Sequence, residues 1–213
     1  SVVFINGNYY GLLNIRERSN KDFIYANHGL DEDEFVIIEG SGKSSEDEAY
    51  RELIAILESD SVNTDAAFER INELVDIDET LNYFMAQIYY ANTDWPGGNI
   101  KCWRKNDGGK FRYILYDTDF GYSLYNANYS TNGFSQASKN PVFAGLMKND
   151  AIKSILANKF VVHLASTFET DRAISLLEEM ADAIEPEALI YADYLSKNHS
   201  IEQGWEKDIL NME

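Results

Sequence analysis

The chain has 213 residues, 45% of them hydrophobic and 13% aromatic, which is enough apolar side chain for one substantial folded domain and argues against disorder. Its 18 basic and 36 acidic side chains give a formal net charge of −18, which disfavours nucleic acid and anionic membranes as partners. An anionic ligand such as a nucleotide would therefore need a divalent cation to bind. Cys102 is the only cysteine, so no internal disulfide is possible, and no apolar run approaches the roughly 18 residues of a membrane span.

The first predicted element is a β-hairpin. Residues 2–5 run into the turn signal "NGN", and residues 9–15 form the return strand. A short helix follows, with Ser19 or Asn20 as its N-cap and Gly29 as its C-terminal stop. The chain begins inside the first strand and without Met, so we interpret it as a piece of a longer protein.

The next part of the chain is predicted to contain one short strand followed by three helices. An apolar strand is expected at residues 35–38, and helical spacing then returns at residues 46–59 and again around residues 68–74. The clearest helix is "DETLNYFMAQIYYAN", residues 78–92. Its apolar side chains recur at the spacing of one helix face, namely Leu81, Phe84, Met85, Ile88 and Tyr89.

This helix leads into the loop "NTDWPGGN", residues 92–99, and then into a second predicted hairpin. The strands "NIKCWRK" and "KFRYILYD" flank the turn "NDGG". From residue 141 onward the pattern is helical, at residues 142–147, 151–168 and 170–195. The order of hairpins and helices predicts an α+β fold with a helix-dominated body.

Two acidic loops carry the candidate chemistry. Asp94 and Asn99 are spaced D-x-x-x-x-N directly after a helix, the spacing with which protein kinases place a catalytic Asp and a Mg²⁺-binding Asn. The second hairpin then delivers Asp117 and Asp119 in "YDTDFG", where a kinase places its metal-binding carboxylate. Each piece alone is common by chance, and an Asp after a strand is often a turn former. The order of helix, loop, hairpin and acidic loop is more specific.

The sequence resembles the CotH (spore coat protein H) kinase family, which consists of atypical, secreted or surface-associated bacterial kinases with a protein-kinase-like fold. The resemblance extends from Val3 to about Pro186. Its most specific parts are the N-G-x-Y-x-G-L hairpin and the N-x-D-W loop followed by Y-D-x-D-F-G. The stretches that carry it are "VFINGNYYGLLNIRE", "NTDWPGGNIKCWR", "GGKFRYILYDTDFGYSLY", "LMKNDAIKSILANKF" and "IEPE".

The resemblance implies a role for each matching residue. Asp94 would be the catalytic Asp, and Asn99 would be a ligand of Mg²⁺ or Mn²⁺. Asp117 matches the family's metal-binding Asp, while the literal Asp-Phe-Gly makes Asp119 the rival candidate, and the sequence leaves that choice open. The segment after the first hairpin would be the hinge that meets the adenine of ATP, with Asn14, Ile15, Arg16 and Glu17 as the cofactor-binding residues.

The resemblance also implies a division of the chain and a reaction. Residues 1–18 would be a remnant of the small lobe with the hinge, and residues 19–213 the helical lobe, because the family's nucleotide-clamping basic residue lies upstream of the first hairpin. We therefore expect residues 1–213 alone to bind ATP weakly and to be inactive. The implied activity is phosphoryl transfer from Mg²⁺-bound ATP to Ser or Thr of a protein substrate, outside the cell or at its surface. Two alternatives stay open, namely a non-catalytic coat-assembly or surface module and transfer of AMP from the same site.

Overall fold

The computed structural model describes residues 1–40, 45–122 and 130–199 of the chain. It is a mixed structure of helices and small antiparallel sheets, so the predicted α+β class is confirmed. In chain order its elements are β1 (Val2–Ile5), β2 (Asn8–Leu12), α1 (Lys21–His28), β3 (Phe35–Glu39), α2 (Glu48–Glu58), α3 (Asp65–Leu74), α4 (Ile77–Tyr89), β4 (Lys101–Lys105), β5 (Arg112–Tyr113), α5 (Gly133–Ala137), α6 (Pro141–Leu146), α7 (Asp150–Leu164) and α8 (Thr170–His199).

The chain forms two compact units, one made of Ser1–Glu17 with His163–Glu213 and the other of Arg18–Val162. The end of the first unit, from residue 200 to residue 213, lies outside the described residues. No helix in the described part of the chain is long and apolar enough to cross a membrane. The division of the chain into residues 1–18 and 19–213 as two kinase lobes stays a prediction.

In the first unit the predicted hairpin is present and packs on α8. The turn residues Asn6 and Gly7 both have positive φ, 51° and 81°, as a two-residue turn that matches strand twist requires. The return strand ends at Leu12 instead of residue 15, and the amide of Leu13 bonds the carbonyl of Ser1, the residue directly before β1. The Tyr9 hydroxyl donates to Glu187 of α8 at 2.8 Å, which joins residues far apart in the sequence.

In the second unit the first helix has the caps that the sequence indicates. The Asn20 side chain accepts from the amides of Asp22 and Phe23, and Gly29 ends the helix with a left-handed φ of 65°. The strand after it, β3, pairs antiparallel with β4, and β4 pairs with β5, so β3 extends the predicted hairpin to three strands. That non-local pairing was not predicted.

The strand β5 has only two residues, fewer than the sequence predicts. Phe111, just before it, bonds the chain around α3 and α4 instead of β4: its amide donates to the Leu74 carbonyl, and its carbonyl accepts from the amide of Asp76. The side chain of Phe111 is 1% exposed. The residue before β5 is therefore packed in the helical core, and only residues 112 and 113 pair with β4.

The core of this unit forms around α4, the helix with the clearest apolar spacing. Leu81 and Phe84 are fully buried, and the Phe84 ring lies 4.9 Å from that of Phe143 in α6. A short helix that the sequence did not predict, α5, packs on α4 through Gly133. A β-carbon there would lie 2.4 Å from the Ile88 carbonyl oxygen, so the close approach depends on glycine.

The C-terminal helices follow the predicted pattern with shifted ends. Helix α7 stops at Leu164 instead of residue 168, because the Phe168 amide bonds the His163 carbonyl and closes a wider turn. The Glu169 carboxylate then accepts from the first amides of α8, including that of Arg172 at 2.8 Å. Helix α8 continues to His199, four residues beyond the predicted end at residue 195.

Candidate active site

The loop of residues 92–99, called here the Asp94 loop, begins where α4 ends. The chain leaves the helix through Ala91, a non-glycine residue with a φ of 51°. Asn92 is 1% exposed and its amide donates to the Gln87 carbonyl at 3.3 Å. Its side chain donates to the Gln87 side-chain oxygen at 2.9 Å, so the start of the loop is fixed to the helix by two bonds.

The next anchor in this loop is Trp95. Its side chain is 1% exposed, and its indole N–H donates to the Tyr83 hydroxyl at 2.9 Å inside the core. Burial raises the pKa of Tyr83, and hydrogen bonds from Trp95 and Gln87 act in the opposite direction. Asp94 thus lies between two buried residues, and its own side chain faces solvent.

The two polar residues that the D-x-x-x-x-N spacing singled out are in contact. The Asn99 side-chain nitrogen donates to the Asp94 carboxylate at 2.8 Å. Asn99 has a φ of 56°, a left-handed conformation that Asn tolerates better than most residues. Because the amide uses its nitrogen toward Asp94, its oxygen points away from that carboxylate and is the atom that could coordinate a cation.

The second acidic segment, residues 116–121 or the Asp117 loop, lies against the first. The Asn92 side-chain nitrogen is 3.5 Å from the Asp117 carbonyl oxygen. The amide and hydroxyl of Thr93 both approach the Phe120 carbonyl oxygen at 3.4 Å. Just past the loop, the Tyr122 amide donates to the Tyr90 carbonyl at 2.9 Å. The loops predicted to share a site are therefore adjacent.

Backbone strain is concentrated in these two loops and at the residues directly beside them. Five non-glycine residues in the described part of the chain have positive φ, and one of them, Asn6, belongs to the N-terminal turn. The other four are Ala91, Asn99, Asp117 and Tyr122. Such conformations cost on the order of 1 kcal/mol or more each and are often found at functional sites. The strain therefore favours these loops as the place where function resides.

The donor set suits a hard divalent cation. Asp117 and Asp119 are both exposed, and with the Asn99 side-chain oxygen they offer the oxygen ligands that Mg²⁺ takes, usually with several waters. Within residues 1–40, 45–122 and 130–199, however, no three Asp, Glu, His or Cys side chains are close enough to hold a metal ion together. Asn99, Asp117 and Asp119 would hold Mg²⁺ together with several waters and a ligand's phosphate oxygens.

The local field is negative. Burial raises the pKa of Tyr116, and the nearby carboxylates of Glu39 and Asp117 raise it further. Lys101 pairs with Glu39 at 3.0 Å and lies 5.4 Å from the centre of the Tyr116 ring. A phosphate group entering beside Asp117 would meet this negative charge, so a cation would be needed to balance it.

The predicted hinge belongs to the other compact unit. Asn14, Ile15, Arg16 and Glu17 follow β2 in a segment without regular secondary structure, and Ile15 is 88% exposed. An exposed segment without regular secondary structure is typical of a linker, and its role toward adenine stays a prediction.

Sequence reasoning missed the residues that hold the loops together. Asn92 lies in the N-x-D-W motif and Gln87 lies in the predicted helix, but the sequence predicts no role for either. A signal was available: Gln87 interrupts the apolar face of α4, and a polar side chain at 1% exposure must find hydrogen-bond partners.

The chain is a mixed helix-and-sheet protein whose two acidic loops are joined by hydrogen bonds. The model of the family described as CotH kinase protein matches residues 1–212. The chain belongs to the CotH kinase protein family. No curated protein and no solved structure matches it significantly.

Proposed function

We propose that this protein transfers the γ-phosphoryl group of Mg²⁺-bound ATP to Ser or Thr hydroxyls of a protein substrate, in a protein-kinase-like fold. In this proposal residues 19–213 are the catalytic lobe, and residues 1–18 are a remnant of the small lobe with the hinge. The observation that carries it is the 2.8 Å bond between Asn99 and Asp94, made in a loop that is tied to the Asp117 loop. Membership of the CotH kinase protein family supports the same reaction class.

Asp94 is the group that meets the acceptor. Its backbone is fixed, since its amide donates to the Asn92 side-chain oxygen at 3.2 Å, while its carboxylate faces solvent. One carboxylate oxygen accepts from Asn99, and the other can accept from a substrate hydroxyl. Asp94 thereby orients that hydroxyl toward the phosphate and takes its proton as the new bond forms.

Asn99, Asp117 and Asp119 would hold the divalent cation, which would neutralise phosphate charge in the complex with ATP. Asp117 is favoured over Asp119 as the principal ligand. The Asp117 carbonyl is tied to Asn92, and its left-handed φ of 54° is the kind of strained backbone that functional loops retain. The contribution of Asn14 to Glu17 is contact with adenine.

The test is label transfer from ATP. The protein is incubated in its full-length form, because residues 1–213 alone are expected to be inactive, with Mg²⁺, a Ser/Thr peptide library and ATP labelled in either the γ- or the α-phosphate. We expect label on the peptides from the γ-phosphate only, and a loss of several orders of magnitude in Asp94→Ala, since that residue acts in the reacting step. Asn63→Ala is a suitable control, because this exposed amide bonds Asp150 on the helical body.

The other outcomes separate the alternatives. Label from the α-phosphate would mean transfer of AMP by the same groups and would refute phosphoryl transfer. If neither label is transferred, and protein that is folded by circular dichroism binds no Mg²⁺–ATP in calorimetry, the chain is a non-catalytic module of this family.

A further inference from the structure

The geometry points to Asn92 as a positioning residue that holds Asp94 and Asp117 in one fixed relative geometry. This inference rests on the proposed function, because it assigns the two carboxylates to one reaction. Asn92 does not contact substrate itself; it acts through the two loops that it joins.

The first step is the number of partners that one buried side chain reaches. Asn92 is 1% exposed. Its nitrogen faces the Gln87 side-chain oxygen at 2.9 Å and the Asp117 carbonyl at 3.5 Å, and its oxygen accepts from the Asp94 amide at 3.2 Å. One amide therefore joins α4, the Asp94 loop and the Asp117 loop, and both donor hydrogens and the acceptor oxygen are used.

The second step is the choice of side chain. The site needs two hydrogen-bond donors and one acceptor within the reach of a short side chain. The Asn amide supplies two N–H donors and one oxygen acceptor. Ala would leave the Asp94 amide, the Gln87 oxygen and the Asp117 carbonyl without this partner. Gln87 is itself 1% exposed, so water does not readily replace the lost donor to its side-chain oxygen.

The third step is why the two carboxylates depend on this amide. Both residues are exposed, so the backbone of each loop has a large part in setting where its carboxylate lies. The Asp94 backbone is held by Asn92 on one side and by buried Trp95 on the other. Asp117 lies in a strained left-handed conformation that must be stabilised by its surroundings. The bond from the Asn92 side chain to the Asp117 carbonyl therefore fixes the Asp117 loop relative to the Asp94 loop.

The expected consequence is a defect in turnover. Loss of a residue that orients catalytic or metal-binding groups typically lowers activity or metal affinity about 10- to 100-fold. In Asn92→Ala we expect kcat to fall by about that factor, the Mn²⁺ concentration for half-maximal activity to rise, and the KM for ATP to change little. Gln87→Met, which removes one partner of the same amide, should shift kcat in the same direction by less.

Asn149 provides a matched control. It is also buried, at 2% exposure, and it also bonds on both sides: its nitrogen donates to the Val62 carbonyl at 2.8 Å, and its oxygen accepts from the amides of Ala151 and Ile152. Asn149→Ala should cost a comparable amount of stability and leave kcat unchanged. The comparison separates two effects of Asn92→Ala. One is the stability cost of removing any buried Asn side chain, and the other is the misplacement of Asp94 and Asp117.

Hydrogen–deuterium exchange on the unliganded protein measures the coupling between the Asp94 loop and the Asp117 loop and does not require the protein to be active. In Asn92→Ala the peptides covering residues 92–99 and 116–122 should exchange faster together, and in Asn149→Ala they should not. If both segments loosen but the wild-type protein transfers no phosphate, the proposed function fails and the coupling stands. If the wild-type protein is active and Asn92→Ala changes neither kcat nor exchange in the two segments, the coupling is wrong. If Asn92→Ala does not fold, the same measurements of kcat and of exchange in the two segments are made on Gln87→Met.

Discussion

The anchor beside the proposed catalytic Asp can be tested by removing one oxygen atom. In Tyr83→Phe the ring keeps its stacking on Tyr113, at 4.7 Å between centroids, but the Trp95 indole N–H loses the hydroxyl that accepts its hydrogen bond. Trp95 is 1% exposed, so water does not readily replace the lost oxygen. A buried donor left without a partner costs about 1–3 kcal/mol, so we expect the free energy of unfolding to fall by that amount.

Urea unfolding followed by circular dichroism measures this change, and the slope with urea should stay constant. For a chain of this length about 1 kcal/mol corresponds to roughly 2–4 °C in Tm. Tyr113→Phe is the matched control: Tyr113 is buried in the same stack, and no hydrogen bond of its hydroxyl to another described residue is seen. It should cost less. If both changes cost the same, the Trp95 bond contributes nothing and the anchor is packing alone.

A double-mutant cycle isolates the bond. Trp95→Phe removes the donor, although it also leaves a space in the core. If Tyr83 and Trp95 share a hydrogen bond, the double variant should cost less than the sum of the single variants, with a coupling of at least about 0.5 kcal/mol. Additive costs would contradict the bond.

Three further predictions concern metal, pH and packing. Millimolar Mg²⁺ or Mn²⁺ should raise the Tm, and Asp117→Asn should remove most of that gain; a Tm insensitive to metal in protein that binds nucleotide would contradict metal chemistry there. Partial desolvation, aided by the charge of Arg112, holds the pKa of His28 below its ordinary value of 6.5. The native state then binds fewer protons than the unfolded state, so stability should fall as pH drops below about 6.5, and an NMR-titrated pKa at or above that value would refute this. Gly145→Ala should cost about 1–3 kcal/mol in urea unfolding, since its β-carbon would lie 2.5 Å from that of Leu57, and a neutral result would show that α6 can shift.

Local signals in the sequence predicted the local structure well. Asn20 and Gly29 cap α1 as expected, the "NG" turn closes the first hairpin, and the apolar spacing around Phe84 marks the helix that forms the core. Each of these features depends on residues a few positions apart. The same holds for the contact between Asp94 and Asn99, five residues apart in one loop.

Features that depend on distant residues were not predictable in this way. The pairing of β3 with β4 and the bond from Tyr9 to Glu187 join segments whose own patterns contain no information about the partner. Helix α5 is five residues long, too short for a helical period to appear. The role of Asn92 depends on the Asp117 carbonyl, a backbone atom that every residue has, so only the structure reveals it.

We propose that the Asp94 and Asp117 loops together form one divalent-cation site for phosphoryl transfer. The most direct measurement is anomalous diffraction at the manganese edge from crystals of the protein with Mn²⁺ and a non-hydrolysable ATP analogue. We predict an anomalous peak coordinated by the Asp117 carboxylate and the Asn99 side-chain oxygen, next to the analogue's phosphates and beside Asp94. A nucleotide bound with its phosphates away from both loops, or a manganese peak coordinated by other residues, would contradict the account.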